Sequence, residues 1–156
     1  MAVDNENPVQ RMSKFTALLY YHLTKAMVDA YGDGAKEIIR TAIRSFGLER
    51  GKCIARHVKE AGLDLTIENL DRFYDMPIIQ GWSPNAKYEG AIKHSRTEAC
   101  TFAELWLEKS WAEIGRLYCD VDPAIREGYN PDISYVPQEN ILEGDPFCAS
   151  VTKYRK

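Results

Sequence analysis

Ile133-Ser134-Tyr135-Val136-Pro137 and Phe147-Cys148-Ala149-Ser150-Val151-Thr152-Lys153 decide the fold class of this 156-residue chain. Ile133, Tyr135 and Pro137 fall on alternate positions, as do Phe147, Ala149, Val151 and Lys153, and a side-chain period of two marks a strand. The connection Ile141-Leu142-Glu143-Gly144-Asp145-Pro146 is tightest at Gly144-Asp145, so the two runs read as a hairpin. Outward from it the pattern changes period. Asp122-Pro123 opens a short helix, proline being favoured in a first turn; Gly128 closes it and Asn130-Pro131 forbids continuation. Before that, Thr101 and Glu104 have the spacing of a capping box, and Phe102, Leu105, Trp106, Ile114, Leu117 and Tyr118 follow as the apolar residues of one long helix, with Trp111 less well in phase. Residues 87–98 alternate through Tyr88, Gly90, Ile92 and His94 and read as a strand, preceded by a turn-rich stretch at 81–85.

The first half is helical. Phe15, Leu18, Leu19, His22 and Leu23, with Ala26 and Met27, share one face at a period of 3.6. Tyr31-Gly32-Asp33-Gly34 breaks that run, and Asp33 is placed to cap a second helix through Ile38, Ile39, Ala42, Ile43 and Phe46. Gly47 reads as punctuation before a further helix ending at Gly62, and Thr66 caps a short one that stops before Pro77. The expectation is an α+β fold: N-terminal helices packed on a small antiparallel sheet with a C-terminal β-hairpin, residues 1–12 forming a tail and 13–156 one domain.

A net charge of −3, with lysine and arginine spread along the chain, argues against nucleic acid as a partner. No apolar stretch reaches the roughly 20 residues that span a bilayer, and the polar, acidic start lacks the features of a signal peptide, so no membrane partner and a cytoplasmic location are expected. The four cysteines are then free thiols by default, and no CxxC points to zinc or redox chemistry. Three of them, Cys100, Cys119 and Cys148, lie in the last third at element boundaries, where side chains can converge on a pocket. There is no GxSxG elbow, and Gly32-Asp33-Gly34 is too short for a phosphate loop.

Four segments occur in order: Cys100-Thr101-Phe102-Ala103-Glu104-Leu105-Trp106, Gly115-Arg116-Leu117-Tyr118-Cys119-Asp120, Gly128-Tyr129-Asn130-Pro131 and Leu142-Glu143-Gly144-Asp145-Pro146-Phe147-Cys148. Together with Tyr31-Gly32-Asp33-Gly34-Ala35-Lys36-Glu37-Ile38 and Phe46-Gly47-Leu48-Glu49-Arg50-Gly51, they resemble the L-2-amino-thiazoline-4-carboxylic acid hydrolase family over about residues 30–150. The resemblance implies a hydrolase that opens a C–N bond of a small cyclic amidine or isothiourea, giving a product such as N-carbamoyl-cysteine, with no cofactor. The helices-then-sheet order also resembles small ligand-sensing domains of the vinyl-reductase type. The rival expectation is therefore a non-enzymatic module that binds a small molecule or haem. A third is an assembly protein whose aromatic helix faces form a homo-oligomer interface.

Cys100 is the nucleophile candidate, because a thiol ahead of a helix start feels free N–H groups and the positive end of the dipole. His94 and Glu104 are its candidate proton carriers; on a strand His94, Arg96 and Glu98 share a face that Cys100 would continue, and Arg96 would hold a substrate carboxylate. Asp120 is suited to anchor a cationic amidinium. Asp122 has a sufficient role as a cap before Pro123. Asn130 and Asp145 precede prolines as turn residues and are second candidates for substrate contact, with Cys119 and Cys148 beside them. Cys119, flanked by Asp120 and Asp122, is the poorer thiolate. Cys100, Cys119, Cys148 and His94 are the right types for zinc but lack its usual spacing, so no metal is assigned. His22 and His57, in helical patterns, read as structural or surface residues.

Overall fold

The computed structural model describes residues 7–155. Helix α1 (Pro8–Tyr31) starts where Asn7 Oδ1 accepts from Gln10 N at 2.9 Å and Gln10 Oε1 accepts from Asn7 N, a reciprocal cap followed by proline at the first position. The helix thus begins inside the expected tail, whose residues 1–6 lie outside the described residues. Then come α2 (Gly34–Glu60), α3 (Ile67–Arg72), α4 (Ile78–Gly81), β1 (Trp82–Glu89), β2 (Ile92–Cys100), α5 (Thr101–Glu108), α6 (Ala112–Tyr118), α7 (Val121–Tyr129), β3 (Ile133–Glu139), a 3₁₀ turn (Ile141–Glu143) and β4 (Cys148–Tyr154). Helices pack against a four-stranded antiparallel sheet in the order β1-β2-β4-β3, and the C-terminal hairpin pairs β3 with β4.

Three expectations are corrected. Gly47 does not interrupt a helix: α2 is continuous, and its glycines make room for α7. A Cβ on Gly47 would stand 2.6 Å from Ala124 Cβ, and one on Gly51 would stand 2.7 Å from Tyr129 N; Gly128 on α7 lies equally close to the backbone of Leu48. The helix–helix contact is backbone on backbone, so the glycines are there for space rather than for a turn. The single strand at 87–98 is a hairpin that turns at Gly90 (φ +59°), and the turn-rich stretch before it is the first strand. The long helix from Thr101 is two helices. Ser110 adopts φ +54°, and Trp111 N closes on Trp106 O at 2.7 Å, which explains why Trp111 is out of phase. Its cap is not the expected box: Cys100 occupies the N-cap position, and Thr101 Oγ1 donates to Gly81 O instead.

Two apolar clusters anchor these elements. Ile39, Ile43, Ile54 and Val58 of α2 pack with Ile125 and Tyr129 of α7 and with Ile133. Tyr20, Phe102, Trp106 and Tyr118 form an aromatic set with centroids 5.1–5.5 Å apart. Trp106 Nε1 donates to Ala17 O and Tyr20 Oη to Ile114 O, so the polar end of each ring is satisfied inside the core. On the sheet, Lys93 and Thr152 are paired in register and buried, whereas His94 and Arg96 are exposed, so one face meets the helices and the other is open.

Candidate active site

The three late cysteines are each placed by the end of an element. Cys100 ends β2 and heads α5; Cys119 lies between α6 and α7; Cys148 begins β4. All are free thiols, partly buried, and they sense one another electrostatically: Cys148 acts on Cys100, and Cys100 on Cys119. Among the described residues no three histidine, cysteine or acidic side chains stand close enough together to hold a metal ion, so the thiols are neighbours without forming a coordination sphere.

Cys100 Sγ accepts from Trp82 Nε1 at 3.2 Å. The backbone N–H groups of Phe102 and Ala103 also favour its anion, although no cap hydrogen bond of ordinary geometry forms. Burial outweighs these donors and raises the thiol above its ordinary value, so Cys100 rests protonated. Burial pushes Cys119 up to about 12; its hydrogen bond with Asn140 opposes this, and Asp122 adds to it. Cys148 is also raised by burial, against the donor Ile141 N at 3.4 Å. The N–H donors expected at the start of α5 are present, but the cost of removing a thiolate from water exceeds what they supply.

Asp122 is the carboxylate that faces this region. It acts on Cys119, Cys148, Tyr74, Tyr118 and Tyr135, and it pairs with Arg126 at 2.8 Å one turn along α7. Arg126 lies over the Tyr135 ring at 4.7 Å and beside Tyr74 at 5.9 Å. Its Nε is the one buried side-chain nitrogen or oxygen among the described residues that lacks a hydrogen-bond partner. Asp122 is not the cap expected before Pro123: it lies in the first turn of α7, whose N-cap position is Asp120, and Arg126 was not among the expected site residues. The available signal was their i,i+4 spacing, which is the spacing of any surface ion pair.

The other candidates are dispersed. Asp120 pairs with Arg116 at 3.3 Å, and Arg116 also reaches Glu143 at 3.2 Å; Arg116 acts on Cys119 and Cys148. Asn130 Nδ2 donates to Leu65 O and its Oδ1 accepts from Asp132 N, both at 2.9 Å, and Asp145 accepts from Asn140 N at 2.7 Å, so both hold loops. Glu104 is exposed in the first turn of α5. His94 pairs with Glu89 at 3.5 Å, while Arg96 meets Glu98 at 3.3 Å and stacks on Phe147 at 3.7 Å. His94, Arg96 and Glu98 do share a face, with Asn85, Lys87 and Gln138, along an open groove of about 390 Å³ on the outer side of the sheet; Cys100 is not among the residues that line it.

This arrangement of helices on a four-stranded antiparallel sheet is found in proteins of different function. The chain is similar to a trafficking protein particle complex subunit 3 from Naegleria fowleri, solved covalently bound to palmitic acid, at TM-score 0.62 and 13% identity over 94% of this chain and 97% of that one. It is also similar to the phenol-responsive sensory domain of the transcription activator PoxR, solved with phenol, at TM-score 0.59 and 17% identity over 89% and 74%. At such identities the likeness is one of fold. The family is defined by sequence: residues 11–151 match the L-2-amino-thiazoline-4-carboxylic acid hydrolase family, and the chain belongs to it. No curated protein matches the chain. Among the described residues no helix is long and apolar enough to cross a membrane.

Proposed function

We propose that the chain is a hydrolase that opens the ring of a small cyclic amidine or isothiourea bearing a carboxylate, with Cys100 as nucleophile. The observation that carries this reading is the electrostatic coupling of three protonated thiols, Cys100 held among three N–H donors and Cys119 and Cys148 both under the influence of Asp122, which pairs with Arg126. Family membership supports it at the level of the hydrolase class. Asp122 replaces Asp120 as the anchor for the amidinium, and the unpartnered Arg126 Nε–H is offered to the carboxylate.

A protonated thiol needs a base, and the substrate brings one. In a free-base isothiourea the ring nitrogen takes the Cys100 proton, giving a thiolate beside an amidinium. Sulfur then adds to the amidinium carbon, a ring bond breaks, and the leaving atom is protonated. Water attacks the resulting S-linked carbon and expels the Cys100 thiolate, which recovers its proton. The sum is substrate plus one water. For 2-aminothiazoline-4-carboxylate the bond broken decides the product. Cleavage of ring C–S gives N-carbamoyl-cysteine with a free thiol; cleavage of ring C–N gives the S-carbamoyl isomer with a free amine. The C–N opening suggested by the resemblance therefore does not lead to the N-carbamoyl product.

Turnover of that acid by the purified protein, followed by mass and by thiol release, tests the proposal. Cys100→Ser is expected to lose about 10³-fold or more in kcat, and full activity in that variant removes Cys100 from the chemistry. A second reading, a non-enzymatic binding module, is favoured by the rise that burial imposes on all three thiols. It predicts saturable binding of the acid with no product formed.

A further inference from the structure

We infer that α1 pairs with the α1 of a second copy of this chain, antiparallel, with a two-fold axis at Leu19. Met12, Phe15, Leu19 and Leu23 are 52–61% exposed although all four are large and apolar, and Ala26 continues their line. The positions 12, 15, 19, 23 and 26 are separated by 3, 4, 4 and 3 residues, so the stripe reads the same from either end. In an antiparallel pair centred on Leu19, Leu19 meets itself, Phe15 meets Leu23, and Met12 meets Ala26. This is the self-complementarity an isologous two-fold contact requires. The stripe contains no charged side chain; the Lys25–Asp29 ion pair lies outside it.

The core does not need this face. Ser13, Ala17 and Thr24 form the buried side of α1, and Tyr20, Met27 and Val28 pack against the core cluster that includes Ile39 and Ile43 of α2. On α2, Ile38 and Phe46 are also exposed, at 50% and 45%. Helix α1 has 24 residues and is about 36 Å long, and the row from Met12 to Ala26 runs along about 21 Å of it. Four large apolar groups in one row exceed the scattered exposure that monomers tolerate.

Sedimentation velocity on the full chain tests the pairing. The wild type is expected to be a dimer at tens of micromolar. Leu19→Glu and Leu19→Lys are each expected to be monomeric with unchanged far-ultraviolet circular dichroism, and mixing them is expected to restore a heterodimer because the two charges then face each other. Phe15→Glu mixed with Leu23→Lys repeats the test at the flanking positions if either Leu19 variant is unstable. Leu107→Glu, at an exposed apolar residue on α5, controls for loss of hydrophobicity alone and is expected to leave the dimer intact. A monomeric wild type overturns the inference, whether or not it binds vesicles of anionic lipid. So does a Leu19→Glu dimer, or a mixture that stays monomeric.

Discussion

Replacing Gly51 with alanine tests the seam that sets α7, and with it Asp122 and Arg126, in place. In an unconstrained helix the change stabilises by about 0.5–1 kcal/mol, because glycine loses more chain entropy on folding. At Gly51 the new methyl group meets Ile125 O, Tyr129 N at 2.7 Å and Gly128 C at 2.9 Å, all backbone atoms that cannot rotate away. Helix α7 must therefore move outward. Overpacking of this kind costs about 1–3 kcal/mol, so the net expectation is a loss of about 1–2 kcal/mol. For a chain of this size that lowers Tm by about 2–8 °C. Gly34→Ala is the matched control: the position is helical, its φ is unexceptional, and nothing lies within 4 Å of the added carbon. Urea titrations of both variants supply the comparison, read as midpoints at constant m-value. If Gly51→Ala is as stable as Gly34→Ala, α7 does not lie on α2 as described.

Alkaline stability reports on Cys119. Its folded-state value of about 12 lies above that of the unfolded thiol, so the folded state keeps a proton the unfolded state has released; stability is expected to fall as pH rises from about 9 to 12, and less steeply in Cys119→Ala, as followed by denaturant melts across that range. Trp82→Phe removes the indole donor to Cys100. A hydrogen bond to a charged group is worth about 1.5–3 kcal/mol, so the expected result is a roughly 10- to 100-fold loss of kcat/KM with little change in Tm, and unaltered kinetics would separate Trp82 from the chemistry. Asn130→Ala is expected to destabilise by about 1–2 kcal/mol through its bonds to Leu65 and Asp132; a rise in KM without a drop in Tm would show instead that it contacts substrate.

The C-terminal hairpin was legible because Ile133–Tyr135 and Phe147–Val151 alternate, and α3 because Thr66 accepts from Asn69 N as its cap position requires. Thr101–Glu104 has the same local signature, but Thr101 instead donates to Gly81 O, twenty residues away in the chain across the β1–β2 hairpin. Gly47 and Gly51 could not be interpreted from α2 alone: a glycine that admits another backbone and one that ends a helix look alike until the neighbour is known. Of the proposed site, the positions of the thiols could be read from the sequence and their surroundings could not. Residues at the ends of elements announce themselves, as Cys100, Cys119 and Cys148 did. What distinguishes Arg126 from any other arginine four residues after an aspartate is the pair of tyrosine rings around it, Tyr135 from the following strand and Tyr74 from a remote part of the chain.

The resting protonation of Cys100 has a consequence for selectivity under the proposed reaction. A sulfur that rests as SH is best matched to an electrophile basic enough to take its proton, so a free-base amidine is favoured over esters and amides, whose carbonyl oxygens are far weaker bases. On the ring C–S route the urea released at the end is a far weaker base than the substrate and draws the proton from Cys100 much less readily.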